Sequence, residues 1–139
     1  MIILLDLNYT LVANSPQRGI SPPPMARRLG EETYRLWLVG LVRPHHVVLV
    51  TARPARWQEA TIERIRVLTG WEPQEAYFND RNLNPPPWKE LVLRAHLFPR
   101  FRPEEMLAIE SNPNTRAMYA RHGIRAMPVG VRPWKKLPV

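Results

Sequence analysis

The stretch Met1-Ile2-Ile3-Leu4-Leu5-Asp6-Leu7-Asn8-Tyr9-Thr10-Leu11-Val12 decides the fold. Four apolar residues, Ile2 to Leu5, read as a strand buried on both faces, and they run directly into Asp6. Asn8 and Thr10 follow on the same alternating face. The chain holds only two aspartates, Asp6 and Asp80. A carboxylate at the end of an apolar strand is costly unless a cation or several donors meet it. It is therefore either the cap of a turn or a reactive group beside a cation, and the rest of the chain decides between them.

Outward from this strand the order reads strand, helix, strand, helix, strand, helix, strand, helix, strand. Ala13 to Pro24 is rich in Ser, Pro and Gly and is expected on the surface. Met25 to Val42 has helical apolar spacing and stops before Pro44. His46 to Val50 is a β-branched run expected as a second buried strand. A helix is expected from about Pro54 to Leu68, ended by Gly70. Ala76 to Phe78 gives a short strand, Asn79 to Pro87 a proline-rich loop and Trp88 to Leu97 a helix. Met106 to Ile109 is a fourth strand, and Asn112 or Asn114 caps a helix to about His122. Ile124 to Val131 is a last short strand before a basic, proline-punctuated tail at about 132–139. The alternation predicts an α/β, Rossmann-like fold: a parallel five-stranded sheet with helices on both faces, in one domain over 1–139.

Sites in such sheets form at the carboxyl ends of the strands near the switch point of strand order. Asp6, Thr51 and Glu110 each follow an apolar strand directly and are expected to converge there. Thr51 could equally cap the helix after Pro54, and Glu110 could face a helix N-terminus. Lys89 stands out because only three of the 20 basic residues are lysines, the others being Lys135 and Lys136. His45 and His46 open the second strand, opposite the site, and read as structural. Trp37, Trp57 and Trp71 read as packing residues. Arg53, Arg56, Asn79 and Arg81 fit a substrate mouth or an ordinary surface equally well.

These pieces together resemble the haloacid dehalogenase superfamily of phosphotransferases. Asp6-Leu7-Asn8-Tyr9-Thr10 is similar to its first motif and Val48-Leu49-Val50-Thr51-Ala52-Arg53 to its second. Lys89 matches the third-motif lysine and Glu110-Ser111-Asn112 the acidic fourth. The resemblance implies an aspartate nucleophile, Asp6, and Mg²⁺ held by Asp6, Glu110 and the backbone carbonyl of Asn8. It implies phosphate binding by Thr51, the backbone at Ala52 and Lys89. Thr10 would brace the turn, and Asn112 and Asn114 would lie behind the metal waters. The departure is Asn8, where the family usually has the acid/base aspartate. An amide moves no proton, and such catalysis is typically worth about 10²–10⁴-fold. An activated leaving group or another base, slow hydrolysis, and a module of this fold that binds phosphate, nucleic acid or a protein partner without turnover all remain open.

Neither the Ala13–Pro24 loop nor the Asn79–Pro87 loop has room for a cap domain, so the site is expected to be open and the substrate large. The run from Thr51 to Lys89 resembles the phosphatase half of polynucleotide kinase-phosphatases, which implies hydrolysis of a phosphomonoester, a nucleotide or nucleic-acid terminal phosphate. A dehalogenase also uses an aspartate, but the missing cap disfavours it. The net charge of +8 suits polyanions and suits a solubilising surface equally. With no cysteine there is neither disulfide nor thiol chemistry. No apolar run reaches spanning length, no leader precedes the first strand, and a cytoplasmic location is expected.

Overall fold

The computed structural model describes residues 1–139. Five strands form one parallel sheet: β1 (Ile2–Leu5), β2 (His46–Pro54), β3 (Glu75–Asn79), β4 (Met106–Ile109) and β5 (Arg125–Met127). Their spatial order is β3-β2-β1-β4-β5. The order reverses between β1 and β4, which pair with Leu5 beside Ile109. The residues that follow them, Asp6 and Glu110, therefore leave the sheet side by side.

Alternation along the strands divides the core in two. Ile3, Leu5, Val47, Leu49, Leu107 and Ile109 face one side. There they pack on α2 (Leu36–Val42) through Leu38, Val39 and Val42, and on α3 (Gln58–Thr69) through Ile65. Leu4, Val48, Val50, Met106 and Ala108 face the other side. There α4 (Pro85–Val92) and α5 (Pro113–Arg121) cover them with Trp88, Val92, Met118 and Tyr119. Burying both faces of short apolar strands is what makes the parallel sheet stable.

Several boundaries differ from the sequence reading, among them the last strand, which covers Arg125–Met127 rather than Ile124–Val131. The helix expected over Met25–Val42 is broken, with α1 ending at Glu31 and α2 starting at Leu36. Between them Tyr34 bridges antiparallel to Val12, and the side chain of Glu32 turns into the interior. Strand β2 runs on to Pro54, with a register irregularity against β3 after Val50. The helix expected from Pro54 begins as a single 3₁₀ turn, Ala55–Trp57, before α3, which ends at Gly70 in the left-handed conformation, φ 68°. Pro85, Pro86 and Pro87 form the first turn of α4 rather than loop, because a helix needs no N–H from its first residues.

Residues 132–139 fold back over the α2 side. Trp134 meets Trp37 edge to face at 5.5 Å, and Leu137 is buried. No helix is long and apolar enough to cross a membrane.

Candidate active site

Asp6 directly follows β1, and the chain then makes a wide turn, closed by Leu11 N–H donating to the Asp6 carbonyl at 3.3 Å. Within it Tyr9 takes a left-handed φ of 61°, uncommon for a residue with a bulky side chain. Three contacts hold it. Its N–H donates to Ser15 Oγ at 2.8 Å, its hydroxyl to the Pro16 carbonyl at 2.7 Å, and the Arg18 guanidinium stacks 3.9 Å from its ring centroid. Arg35 clamps the far side of the turn by donating to the carbonyls of Thr10 and Val12.

At the centre Lys89 reaches out of the first turns of α4 and is 2% exposed. Its Nζ donates to Asp6 Oδ1 at 2.8 Å and to Glu110 Oε1 at 2.5 Å. Thr10 Oγ1 donates to Asp6 Oδ2 at 2.9 Å. Ser111 Oγ lies 3.0 Å from Asp6 Oδ2 and 3.3 Å from the Asn8 carbonyl oxygen, so those two oxygens converge. Glu110 Oε2 accepts from Asn112 N–H at 3.0 Å.

Two buried carboxylates thus share one ammonium. Burial opposes the charge on Asp6, but Lys89 and the donated hydrogen bonds outweigh it and hold this carboxyl below the usual range. Glu110 bears the deficit: burial, with Asp6 beside it, pushes its pKa up to about 7 against the pull of Lys89. Burial alone would lower the Lys89 pKa, but the two carboxylates raise it, so it stays charged.

These groups form the floor of an open cavity of about 170 Å³. Of the residues singled out in the sequence, Asp6, Asn8, Thr51, Ala52, Lys89, Glu110 and Asn112 line it. Thr10 sits behind Asp6, where a brace is expected. Asn114 does not reach the cavity. It lies exposed on the first turn of α5, where its N–H is capped by Asn112 Oδ1 at 2.9 Å. The Asn112 side chain is committed to that cap, so what it offers the site is its backbone N–H. Trp88 Nε1 donates to the Thr51 carbonyl at 2.8 Å, and Thr51 Oγ1 accepts from Arg53 N–H at 3.1 Å, which leaves the hydroxyl proton available.

Tyr9, Arg18 and Ser111 also line the cavity. Ser111 was legible from its place beside Glu110; Arg18 gave no signal in a loop rich in Ser and Pro. A second cavity of about 480 Å³ adjoins the first through Ala52 and Pro85, with Arg56, Asn79 and Asp80 in its wall. Arg81 is exposed and stands outside both cavities. His46 is at the opposite end of β2, hydrogen-bonded to Glu75 at 2.6 Å.

Arg53 departs most from expectation. Its side chain is wholly buried, with Nη2 2.6 Å from Glu32 Oε2 and Nη1 3.0 Å from Glu32 Oε1. Nη1 also donates to Thr61 Oγ1 at 3.1 Å, and Nη2 to Asn8 Oδ1 at 2.8 Å. The break between α1 and α2 places Glu32 against this guanidinium.

The donor set suits a small hard cation. Two carboxylates and a converging backbone carbonyl are oxygen ligands of the kind Mg²⁺ takes, with water completing its shell. At the cavity floor two buried carboxylates meet one ammonium, and burial, with Asp6 beside it, raises the Glu110 pKa.

No family model matches the sequence, and no curated protein sequence matches it. Among solved structures, a chain in the structure of the Pnkp1/Rnl/Hen1 RNA repair complex superposes with a TM-score of 0.73 at 15% identity. The match covers 92% of this chain and 42% of that one, so the present chain spans less than half its length. A likeness at that identity shows the fold, an α/β Rossmann-like sheet.

Proposed function

We propose that this chain is a Mg²⁺-dependent phosphatase of the haloacid dehalogenase type, with Asp6 as nucleophile, acting on the terminal phosphates of nucleotides or nucleic acids. The observation that carries this reading is the ionised Asp6 at the switch point of the sheet, hydrogen-bonded to Lys89 on the floor of an open cavity. A carboxyl nucleophile must be ionised and reachable from one side while its other contacts hold it still. Asp6 meets these conditions, with Thr10 and Ser111 on one oxygen and Lys89 on the other.

An Asp6 oxygen would attack phosphorus, and water would later release phosphate from the aspartyl-phosphate. Lys89 and the Thr51 hydroxyl would hold the phosphoryl oxygens, fixed groups matched to charge that develops in the transition state. Asp6, Glu110 and the Asn8 carbonyl would hold Mg²⁺, which when bound would neutralise phosphoryl charge beside the nucleophile. The open cavity of about 170 Å³ admits a phosphoryl group, and the adjoining cavity offers room for the remainder. The absence of a cap, the net charge of +8 and the RNA repair complex to which the structural neighbour belongs support a nucleotide or nucleic-acid substrate.

The test is Mg²⁺-dependent release of phosphate from aryl and nucleotide phosphates by the wild-type and Asp6→Ala proteins. Activity present in the first and absent in the second supports the assignment; equal activity in both removes it. The neutral amide of Asn8 favours a second reading, a module of this fold that binds phosphate with little or no turnover. Phosphate binding by a protein that hydrolyses none of these compounds would favour it.

A further inference from the structure

The side chain of Asn8 has one partner, Arg53 Nη2, donating to Oδ1 at 2.8 Å. A guanidinium carries only donors, so the amide oxygen faces it and the amide N–H₂ is left without a protein partner on a residue that lines the cavity. Arg53 is itself fixed by Glu32 through two hydrogen-bonded ion pairs and by Thr61, all buried. Tyr34 hydroxyl and Arg64 Nε in turn hold Glu32, at 2.9 Å and 3.0 Å. Both terminal nitrogens of the guanidinium are bonded in this chain of buried groups, and only Arg53 Nε lacks a partner, which restricts the orientation of the Asn8 amide. Because Glu32 neutralises Arg53, no charge is left over to attract a substrate anion. The network's remaining effect on the cavity is to aim a donor.

We infer that Arg53 is a positioning residue that locks Asn8 as a hydrogen-bond donor to the leaving oxygen, and that the site is specific for phosphates on weakly basic leaving groups, phosphoanhydrides and aryl phosphates rather than alkyl monoesters. This rests on the phosphatase reading above and narrows its substrate to anhydride-linked terminal phosphates.

The steps balance without an acid from the protein. An Asp6 oxygen bonds to phosphorus as the bond from phosphorus to the leaving oxygen breaks. The electron pair stays on that oxygen, which departs as an anion stabilised by the Asn8 N–H. Water then attacks the phosphorylated Asp6, restoring the carboxylate and releasing phosphate, and the water's proton passes to solvent. A leaving group as basic as an alkoxide cannot depart in this way at a useful rate.

The test measures kcat and KM with Mg²⁺ for aryl phosphates of graded leaving-group basicity, a nucleoside diphosphate and a nucleoside 5′-monophosphate. The proteins are wild type, Asn8→Asp, Asn8→Ala and the double variant Arg53→Met/Glu32→Gln, which avoids stranding a buried carboxylate. The wild-type rate is expected to fall steeply with leaving-group basicity. The ratio of Asn8→Asp to wild type should rise by about 10²–10⁴-fold from the least to the most basic leaving group. Asn8→Ala and the double variant should each lower kcat on aryl phosphates by about 10²-fold with KM little changed. Equal slopes for wild type and Asn8→Asp would overturn the inference and leave the phosphatase reading standing. Turnover of nothing by any of the four proteins would overturn both. If the double variant does not fold, the kcat and KM values of Asn8→Ala decide the role of the donor.

Discussion

Lys89 is one ammonium between two buried carboxylates, so removing it leaves their repulsion uncompensated. Breaking a buried pair on one side typically costs about 3–5 kcal/mol. Lys89→Met is expected to lose stability on that scale, read as a lower urea midpoint. Asp6, Thr51, Lys89 and Glu110 were legible because a polar residue straight after an apolar strand, or a rare lysine at a helix start, has few ordinary explanations. Arg53 was not legible. Its partners Glu32 and Asn8 are distant in sequence, and Arg is abundant in this chain. Nothing short of the fold shows that an arginine after Thr51 points inward.

Among the elements, strands β1 and β4 match their predicted bounds because an unbroken apolar run admits few alternatives. The expected helix at Met25–Val42 failed because helical spacing continues through a segment that tertiary contacts pull straight. The Glu32–Arg53 pair and the Tyr34–Val12 bridge outweigh local propensity there. Helix α4 should be sensitive at Trp88. Trp88→Phe keeps the ring but orphans the buried Thr51 carbonyl, at a cost of about 1–3 kcal/mol. Phosphate affinity should fall with it, checked by calorimetry with inorganic phosphate. On strand β3, Glu75 accepts from Arg100, which with His46 and Tyr77 lowers its pKa from 4.5 to about 2 despite partial burial. Its contribution is complete above pH 4.5 and is lost as pH falls through about 2. Acid titration of stability should therefore be flatter across this window in Glu75→Gln than in wild type.

At the scale of the molecule, strand alternation predicted the parallel sheet and the strand-end site, since both follow from connection rules rather than from any one residue. The packing of the tail through Trp134 and Leu137 was hidden by its prolines and lysines. A pair of buried carboxylates should gain stability from a cation that binds only the folded protein, about 2.7 kcal/mol at a hundredfold excess over Kd. Thermal unfolding with and without Mg²⁺ should show the rise in wild type and not in Glu110→Gln. Binding to single-stranded RNA, if charge drives it, should weaken linearly on a log–log plot against salt.

Consecutive residues on α4 reach in different directions, Trp88 to β2 and Lys89 to β1 and β4. One helical turn therefore fastens three strand ends. Local fraying of any one of them would have to break a contact on that turn. Amide exchange at Asp6 and Glu110 should then proceed only through global unfolding, at a single common free energy. The groups that line the cavity are then expected in the slowest-exchanging part of the protein, and they are reached across an open surface rather than beneath a lid.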